Sequence, residues 1–228
     1  MIDADIPEIE EINTEPISKD EVRQGIRSLK NGKAGGVDNK VAELLIADLE
    51  ISNQKLHGTI QLMGEEERAP LKWLKGLIIK LPKKGNLRDW TNWRGITLLI
   101  IGNKVLGKIL AERMKPGRDV KLREEQAGSR QGRSTTEQIF ILRNFIEQTH
   151  EWQASLILNF IDREKAFHSL YRDSLWDIMK LYGIPSNLIR IIQLLYQDSK
   201  SAVLDGGQVS EWFQVKTGVK QGFLMSGF

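Results

Sequence analysis

The sequence contains no cysteine, which excludes disulfide bonds and cysteine-ligated zinc and fits a reducing compartment. No apolar run approaches the roughly 20 residues that a helix needs to cross a bilayer, so no membrane contact is expected. The longest run covers residues 96–101. Residues 1–11 are acidic and lack the basic-then-apolar order of a secretory signal peptide.

The composition that remains is typical of a globular protein, with 228 residues, 40% of them hydrophobic and 28% charged. The net charge of +3 is unevenly distributed. Residues 1–21 hold eight acidic residues and one lysine, whereas residues 72–94 hold seven basic residues and one acidic residue. The basic stretch is a candidate contact for phosphate groups, and the alternative is a solvated basic face.

Helical signals dominate the first half of the chain. Ser18 with Glu21 and Ser134 with Glu137 form capping boxes, which predict that helices begin at these two serines. A helix from Lys104 is predicted to end near Pro116, because proline disrupts helix interiors. Further helical patterns cover residues 41–49, 52–63, 171–182 and 187–196.

Strand signals begin at residue 77 and continue into the second half of the chain. They predict strands at residues 77–81 and 156–161, and a hairpin around Asp205-Gly206-Gly207. Residues 1–17 contain two prolines and no sustained period, so they are expected to form a disordered acidic leader. Together these elements predict an α+β fold.

The predicted strand at 156–161 leads directly into Asp162. A carboxylate at the end of a rigid strand is well placed to hold a divalent metal, and magnesium prefers oxygen ligands that it shares with substrate phosphates. The alternative is that Asp162 caps the helix that follows.

Five segments of the sequence stand out in this order: LKNGKA at residues 29–34 with Asp38, NWRGITLL at 92–99, EQAGSRQGRST at 125–135, FIDREKAF at 160–167 and GVKQG at 218–222. In the same order, they resemble motifs of the reverse transcriptases of LINE-type (non-LTR) retrotransposons. Any one of them is a weak signal, but five in order make chance a poor explanation.

The resemblance implies a right-hand polymerase fold. Residues 18–150 would form helix-rich fingers, and residues 151–228 would form a partial palm with an incomplete antiparallel sheet, both within one domain. The implied partners are an RNA template, a DNA primer and a deoxynucleoside triphosphate. The implied cofactor is Mg²⁺, two ions in an intact family member.

The resemblance also assigns roles in the palm. Asp162 would be a metal-binding catalytic carboxylate. Phe167 would place its ring beside the sugar and exclude a ribose 2′-hydroxyl, unless it is a core residue. Gln221 would lie next to the incoming nucleotide at the start of a helix.

Basic residues of the fingers would contact the triphosphate. Arg94 has a planar guanidinium that suits phosphate oxygens. Lys83 or Lys84 would supply a second contact. The alternative for Arg94 and Lys83 is a solvated face.

Several positions depart from the family pattern. His168 stands where aspartate is usual, Ser129 where an aromatic is usual, and Gly35 and Val37 where prolines are typical. The adjacent aspartates that the family carries after the Gln221 motif are not found before the sequence stops. We therefore expect a truncated polymerase that is inactive alone.

Two other functions fit the same residues. The basic stretch 72–94 has Trp73, Trp90 and Trp93 interleaved, so the chain is alternatively a non-catalytic nucleic-acid-binding remnant. The simpler interpretation of these tryptophans is a place in the fingers core. An expressed but inert fragment is the third possibility.

Overall fold

The computed structural model describes residues 12–227, so residues 1–11, most of the expected leader, lie outside the described residues. None of the described helices is both long and apolar enough to cross a membrane. Within residues 12–227 the α-helices are α1 (Lys19–Arg27), α2 (Ala42–Ala47), α3 (Leu49–Glu65), α4 (Ile101–Lys121), α5 (Thr135–Glu151), α6 (Arg172–Leu181) and α7 (Ser186–Tyr196).

The local helix signals are confirmed. Ser18 accepts from the Glu21 amide and Glu21 accepts from the Ser18 amide, and Ser134 and Glu137 make the same pair of bonds at the start of α5. These bonds occupy backbone donors that the first helical turn otherwise leaves without partners.

The described strands are β1 (Lys75–Pro82), β2 (Trp93–Leu98), β3 (Lys200–Asp205), β4 (Gln208–Val209) and β5 (Phe213–Gln214). They form one sheet in the order β2-β1-β3-β4, with β5 also paired to β3. Within the residues expected to form the palm, β3 pairs antiparallel with β4 and β5, as expected. β1 pairs antiparallel with β2 and parallel with β3, so the sheet as a whole is mixed. The α+β class is confirmed.

The predicted hairpin turn is present between β3 and β4. Gly206 and Gly207 have φ values of +55° and +81°, and this left-handed pair is the geometry of a two-residue hairpin turn. Glycine adopts that conformation without steric cost, because it has no Cβ.

One hydrophobic core joins the first and second halves of the chain. Val105, Leu106 and Leu110 of α4 are fully buried, and they share the core with Leu188 and Leu195 of α7. Because β1 also pairs with β3, the regions expected to be fingers and palm share a sheet as well as a core.

Helix α4 contradicts the prediction that it ends near Pro116. It continues through Pro116 to Lys121, although an interior proline removes one hydrogen bond and costs about 3 kcal/mol. Met114 and Gly117 are buried on one face, and Arg118 bonds to Asp119 and to the Ser129 carbonyl at 3.2 Å. Burial of this face of α4 stabilises the helix by more than the loss of one hydrogen bond at Pro116 destabilises it.

The last part of the expected leader is packed rather than disordered. Ile12 and Ile17 are buried in the core. Arg113 of α4 donates to the Glu15 carbonyl at 2.6 Å and to Glu21 at 2.6 Å. Burial by itself would raise the pKa of Glu21, but hydrogen bonds from Arg113 and Ser18 lower it on balance. A carboxylate of lowered pKa keeps this junction charged at neutral pH.

The predicted strand at residues 156–161 is wrong. This segment has no regular secondary structure and no strand partner within the described residues. Ile157 and Ile161 are 93% and 81% exposed. A strand needs a neighbour to satisfy its backbone, so an apolar sequence alone does not form one.

Helix α5 precedes this segment and is also exposed. Its start at Ser134 matches the prediction. No residue of the helix is buried, and Ile139, Phe145 and Ile146 face solvent. Residues 139–161 therefore present an apolar surface, which marks an interaction site or an aggregation hazard.

This surface predicts concentration-dependent self-association. We expect the wild-type chain to associate at micromolar concentrations, and Ile157→Lys to shift it toward monomer, because a charge on unpaired strand-like backbone opposes pairing. Sedimentation velocity across a concentration series measures the effect.

Leu181→Lys is the matched control, since Leu181 is 78% exposed at the end of α6. Equal effects of the two substitutions, or a wild-type chain that stays monomeric throughout, would contradict the prediction.

Candidate functional site

Three of the five motif segments meet at one loop, residues 217–222. The amide of Thr97 donates to the Gln221 carbonyl at 2.7 Å, and the amide of Val219 donates to the Phe167 carbonyl at 2.7 Å. Thr97 lies on β2, which is an edge strand, so the loop covers the outer side of the sheet. The backbone therefore places residues 92–99, 160–167 and 218–222 side by side.

Two glycines allow this close approach. Gly218 has a φ of +72°, and a Cβ there would lie 2.6 Å from the Phe167 carbonyl oxygen. Gly222 has a φ of +105°, and a Cβ there would lie 3.1 Å from the Thr97 carbonyl oxygen. Both positions require a residue that tolerates the left-handed region and occupies little space.

The other two segments are fixed nearby. Residues 29–38 run against the start of α4, where a Cβ on Gly36 would lie 2.5 Å from the Ile100 nitrogen. Residues 125–135 are held to α4 by Lys115, which donates to Gln131 at 2.6 Å, and by the Arg118 bond to Ser129. Four of the five segments thus contact or form part of α4 or β2, and residues 160–167 join them through the Phe167 bond to Val219.

Phe167 and Gln221 are both half-buried at this junction. The Phe167 ring packs against the edge of the core. A short 3-10 turn, Leu224–Gly227, follows Gln221 within the described residues, where the resemblance implied the start of a helix.

The predicted phosphate contacts lie on the sheet and at its tip. Arg94 is exposed on β2 opposite Leu81 of β1. Lys83 and Lys84 are also exposed, and the Lys83 ammonium donates to the Thr91 carbonyl at 3.1 Å, which closes the turn between the two strands. Arg94 and Lys84 remain on the solvated surface.

The described residues do not form a metal site at Asp162. Asp162 is exposed in the segment without secondary structure, and no group of three or more His, Cys, Asp or Glu side chains suited to a metal occurs within residues 12–227. One carboxylate cannot hold two divalent ions whose charges repel each other. His168 forms no such group with it either.

A basic cleft beside the junction was missed by the sequence reasoning. It has a volume of about 340 Å³ and is lined by Lys30, Lys33 and Lys104, together with Thr97 and Gly222. Burial lowers the pKa of Lys104, and the charge of Asp38 partly offsets this. No local pattern joins Lys30 to Lys104, because only the fold brings α4 to the loop after α1.

The tryptophans of the basic stretch differ in their surroundings. Trp73 is buried in the core, and Trp93 donates its indole N–H to the Leu87 carbonyl at 3.0 Å. Trp90 is 73% exposed, and the Lys165 ammonium lies 5.2 Å from its ring centroid. Only Trp90 presents most of its ring to solvent.

Comparisons with known proteins agree with this geometry. A family model described as "Reverse transcriptase (RNA-dependent DNA polymerase)" matches residues 81–228, which include four of the five segments.

Curated relatives align with nearly the whole chain. The "Transposon TX1 uncharacterized 149 kDa protein" of Xenopus laevis is 24% identical over 93% of this chain and 16% of its own length. The "Retrovirus-related Pol polyprotein from type-1 retrotransposable element R2" of Popillia japonica is 26% identical over 93% of this chain and 29% of its own length. The "Probable RNA-directed DNA polymerase from transposon BS" of Drosophila melanogaster is 26% identical over 92% of this chain and 23% of its own length. The chain therefore spans under a third of these relatives.

The junction predicts a specific steric sensitivity at Gly218. Gly218→Ala should lower the free energy of unfolding by about 1 to 3 kcal/mol more than Gly207→Ala, because the new methyl group overlaps the Phe167 carbonyl. Urea denaturation of both variants measures the difference.

Gly207 is the matched control because its φ is +81° and a Cβ placed there would have no atom within 4 Å. Both substitutions therefore carry the left-handed backbone penalty, and only Gly218→Ala adds the overlap. Equal losses would show that the loop does not approach Phe167 closely.

Proposed function

Because the chain belongs to the reverse transcriptase (RNA-dependent DNA polymerase) family, we propose that it supplies the fingers and part of the palm of a non-LTR retrotransposon polymerase. The resemblance drawn from the five motifs is thereby confirmed. The observation that carries the proposal is the junction at residues 217–222, which draws three of those motifs together. The division into fingers at 18–150 and palm at 151–228 remains part of the proposal.

The proposed reaction of the whole polymerase is attack of a primer 3′-oxygen on the α-phosphate of a deoxynucleoside triphosphate, with release of pyrophosphate and an RNA strand as template. Phosphoryl transfer depends mainly on positioning and on stabilising the charge of the phosphoryl oxygens. The residues of this chain are suited to positioning.

The fingers residues are proposed to bind the triphosphate. Arg94 is exposed on β2, three residues before Thr97. The amide of Thr97 anchors the Gln221 loop. The Arg94 guanidinium has no hydrogen-bond or ion-pair partner within residues 12–227, so it can donate paired bonds to phosphate oxygens. Lys84 supplies a second positive charge at the tip of the sheet, and Lys83 shares that tip while its ammonium bonds to Thr91.

Phe167 and Gln221 are proposed to define the nucleotide's sugar and base positions. Their backbones are linked through Val219, since Val219 bonds to Phe167 and lies two residues from Gln221. A ring held in place beside the sugar leaves no room for a 2′-hydroxyl. Gly222 lets the backbone of this loop approach Thr97.

Asp162 is proposed as one metal-binding carboxylate of the polymerase. Reverse transcriptases use divalent metal ions, and such an ion would supply charge stabilisation to the reacting phosphate. Within the described residues Asp162 belongs to no group of three or more His, Cys, Asp or Glu side chains that could hold a metal. We therefore propose that the isolated 228-residue chain lacks polymerase activity.

A primer-extension assay tests the absence of activity. The purified chain, given RNA template, DNA primer, nucleotides and Mg²⁺, should extend no more primer than its Asp162→Ala variant does. Sustained extension that Asp162→Ala abolishes would overturn the proposal, because a single carboxylate would then suffice.

Nucleic-acid binding without catalysis is the second candidate function. It is favoured by the exposed Trp90 ring beside Lys83, Lys84 and Arg88, all of which are exposed. A strand can stack a base on such a ring while its phosphates meet the lysines. Both candidates predict binding, and only the polymerase function assigns Gln221 and Phe167 a role.

Binding should therefore depend on salt and on the tip of the sheet. We expect the double variant Lys83→Glu and Lys84→Glu to weaken binding of an RNA–DNA primer-template and to reduce the slope of log affinity against log salt by about 1 per lost phosphate contact. Fluorescence anisotropy over a salt series measures both quantities.

The control is the double variant Lys19→Glu and Lys55→Glu, which makes the same change in net charge at exposed positions of α1 and α3. Equal losses in the two double variants would mean that binding follows net charge and not the proposed surface. Absence of any binding by the wild-type chain would contradict both candidate functions.

A further inference from the structure

Two basic side chains next to the Gln221 loop, the buried Lys220 and the half-buried Arg172, have no carboxylate partner among the described residues. Lys220 is 7% exposed, and its ammonium donates to the Leu195 carbonyl at 3.0 Å. That carbonyl belongs to the last turn of α7, where helix carbonyls have no partners within the helix. The partial negative charge of a helix end favours a cation there.

Arg172 of α6 reaches the same place from the other side. Its Nε donates to the Gly218 carbonyl at 2.9 Å, and its remaining nitrogens donate to the carbonyls of Tyr196 at 3.3 Å and Thr217 at 3.4 Å. Arg172 therefore connects both residues of the bend, Thr217 and Gly218, to the end of α7.

The ring of Tyr196 separates the two cations. The Lys220 ammonium lies 5.2 Å from the ring centroid and the Arg172 guanidinium lies 4.9 Å from it. The Tyr196 hydroxyl is 3.3 Å from the Ser226 oxygen, beyond the loop. The loop is thus clamped to α7 before and after Gln221.

We propose that Lys220 and Arg172 are positioning residues that hold the Gln221 loop against Thr97 and Phe167. This inference rests on the proposed function, since it assigns the two cations to the site that contains Gln221. Neither side chain is directed at a substrate, because both donate to backbone carbonyls of the protein. They act through the loop.

The electrostatics of the clamp provide a means to detect it. Burial, with a smaller contribution from Arg172, lowers the pKa of Lys220 to about 8. Burial also lowers the pKa of Arg172, and it raises the pKa of Tyr196, so the Tyr196 hydroxyl keeps its proton near pH 8. Arg172 of α6 and Tyr196 of α7 are the titratable groups that face Lys220 within residues 12–227.

The sign of the pH effect follows from proton uptake. When the loop opens, Lys220 meets water and regains a pKa of about 10.4. The open form then binds more protons than the closed form between about pH 8 and pH 10, so opening becomes less favourable as the pH rises through this window. Because the closed form holds the neutral amine more readily, deprotonation above pH 8 stabilises it relative to the open form, and the opening equilibrium should fall roughly tenfold between pH 7 and pH 9.

Amide hydrogen exchange tests this on the intact chain. The amides of Thr97 and Val219 report the two bonds that the loop makes, and their rates are corrected for intrinsic base catalysis. We expect the opening equilibrium at both amides to fall together from pH 7 to pH 9, and exchange at Phe145 of the exposed helix α5 to show no such change.

Variants assign the effect to Lys220. Lys220→Met and Lys220→Arg should both remove the pH dependence at Thr97 and Val219, because methionine has no charge and arginine keeps its charge. Lys216→Met should retain the pH dependence, because Lys216 is an exposed lysine immediately before the loop at residues 217–222. If a variant fails to fold, the pH series on the wild-type chain still tests the proposal.

A purely structural role for Lys220 gives a different pattern. The pH dependence would then appear only at amides that exchange through complete unfolding, and Thr97 and Val219 would open independently of pH. That result, or a flat wild-type profile, would overturn the proposal. Failure of the chain to bind primer-template would instead overturn the proposed function and leave these exchange rates unchanged.

Discussion

The backbone of residues 217–222 is bonded on both sides, to Thr97 of β2 and to Phe167 of the segment after Asp162. This pair of hydrogen bonds joins parts of the chain that are more than 50 residues apart in sequence. It requires glycine at positions 218 and 222, because backbone atoms of the neighbouring segments occupy the space of a side chain. The arrangement of the candidate site depends on this junction.

The core explains why the junction is held in place. α4 and α7 are the most deeply buried helices, and the loop is attached to the carboxyl end of α7 while the start of α4 follows β2. The second half of the chain therefore contributes part of the hydrophobic core. In contrast, no residue of α5 is buried, and the segment that leads to Asp162 is exposed.

Local signals in the sequence predicted much of the fold. The capping boxes placed the starts of α1 and α5, and the Gly-Gly pair placed the hairpin turn, because each signal acts within a few residues. The errors concern long-range effects. Burial keeps α4 helical through Pro116, Arg113 holds residues 12–17, and the 156–161 segment lacks a neighbouring strand.

For the candidate site, too, local sequence predicted some features, whereas others depend on long-range contacts. Motif order identified the family, and the structure places Phe167 beside the Gln221 loop. The basic cleft with Lys104, the buried Lys220 and the half-buried Arg172 have no signature in local sequence, since their partners come from other helices. Asp162 was identified by its motif, but no motif reveals that the described residues place it in no group of three or more potential metal ligands.

The central claim is that the loop at residues 217–222 is fixed to β2 through Gln221 and to the Phe167 segment through Val219, in both cases by a backbone hydrogen bond. NMR scalar couplings measured across hydrogen bonds in the isotope-labelled chain test this directly. The account predicts a coupling from the Thr97 amide nitrogen to the Gln221 carbonyl carbon, and another from Val219 to Phe167. Well-ordered Thr97 and Val219 amides with couplings to other carbonyls, or with none, would contradict it.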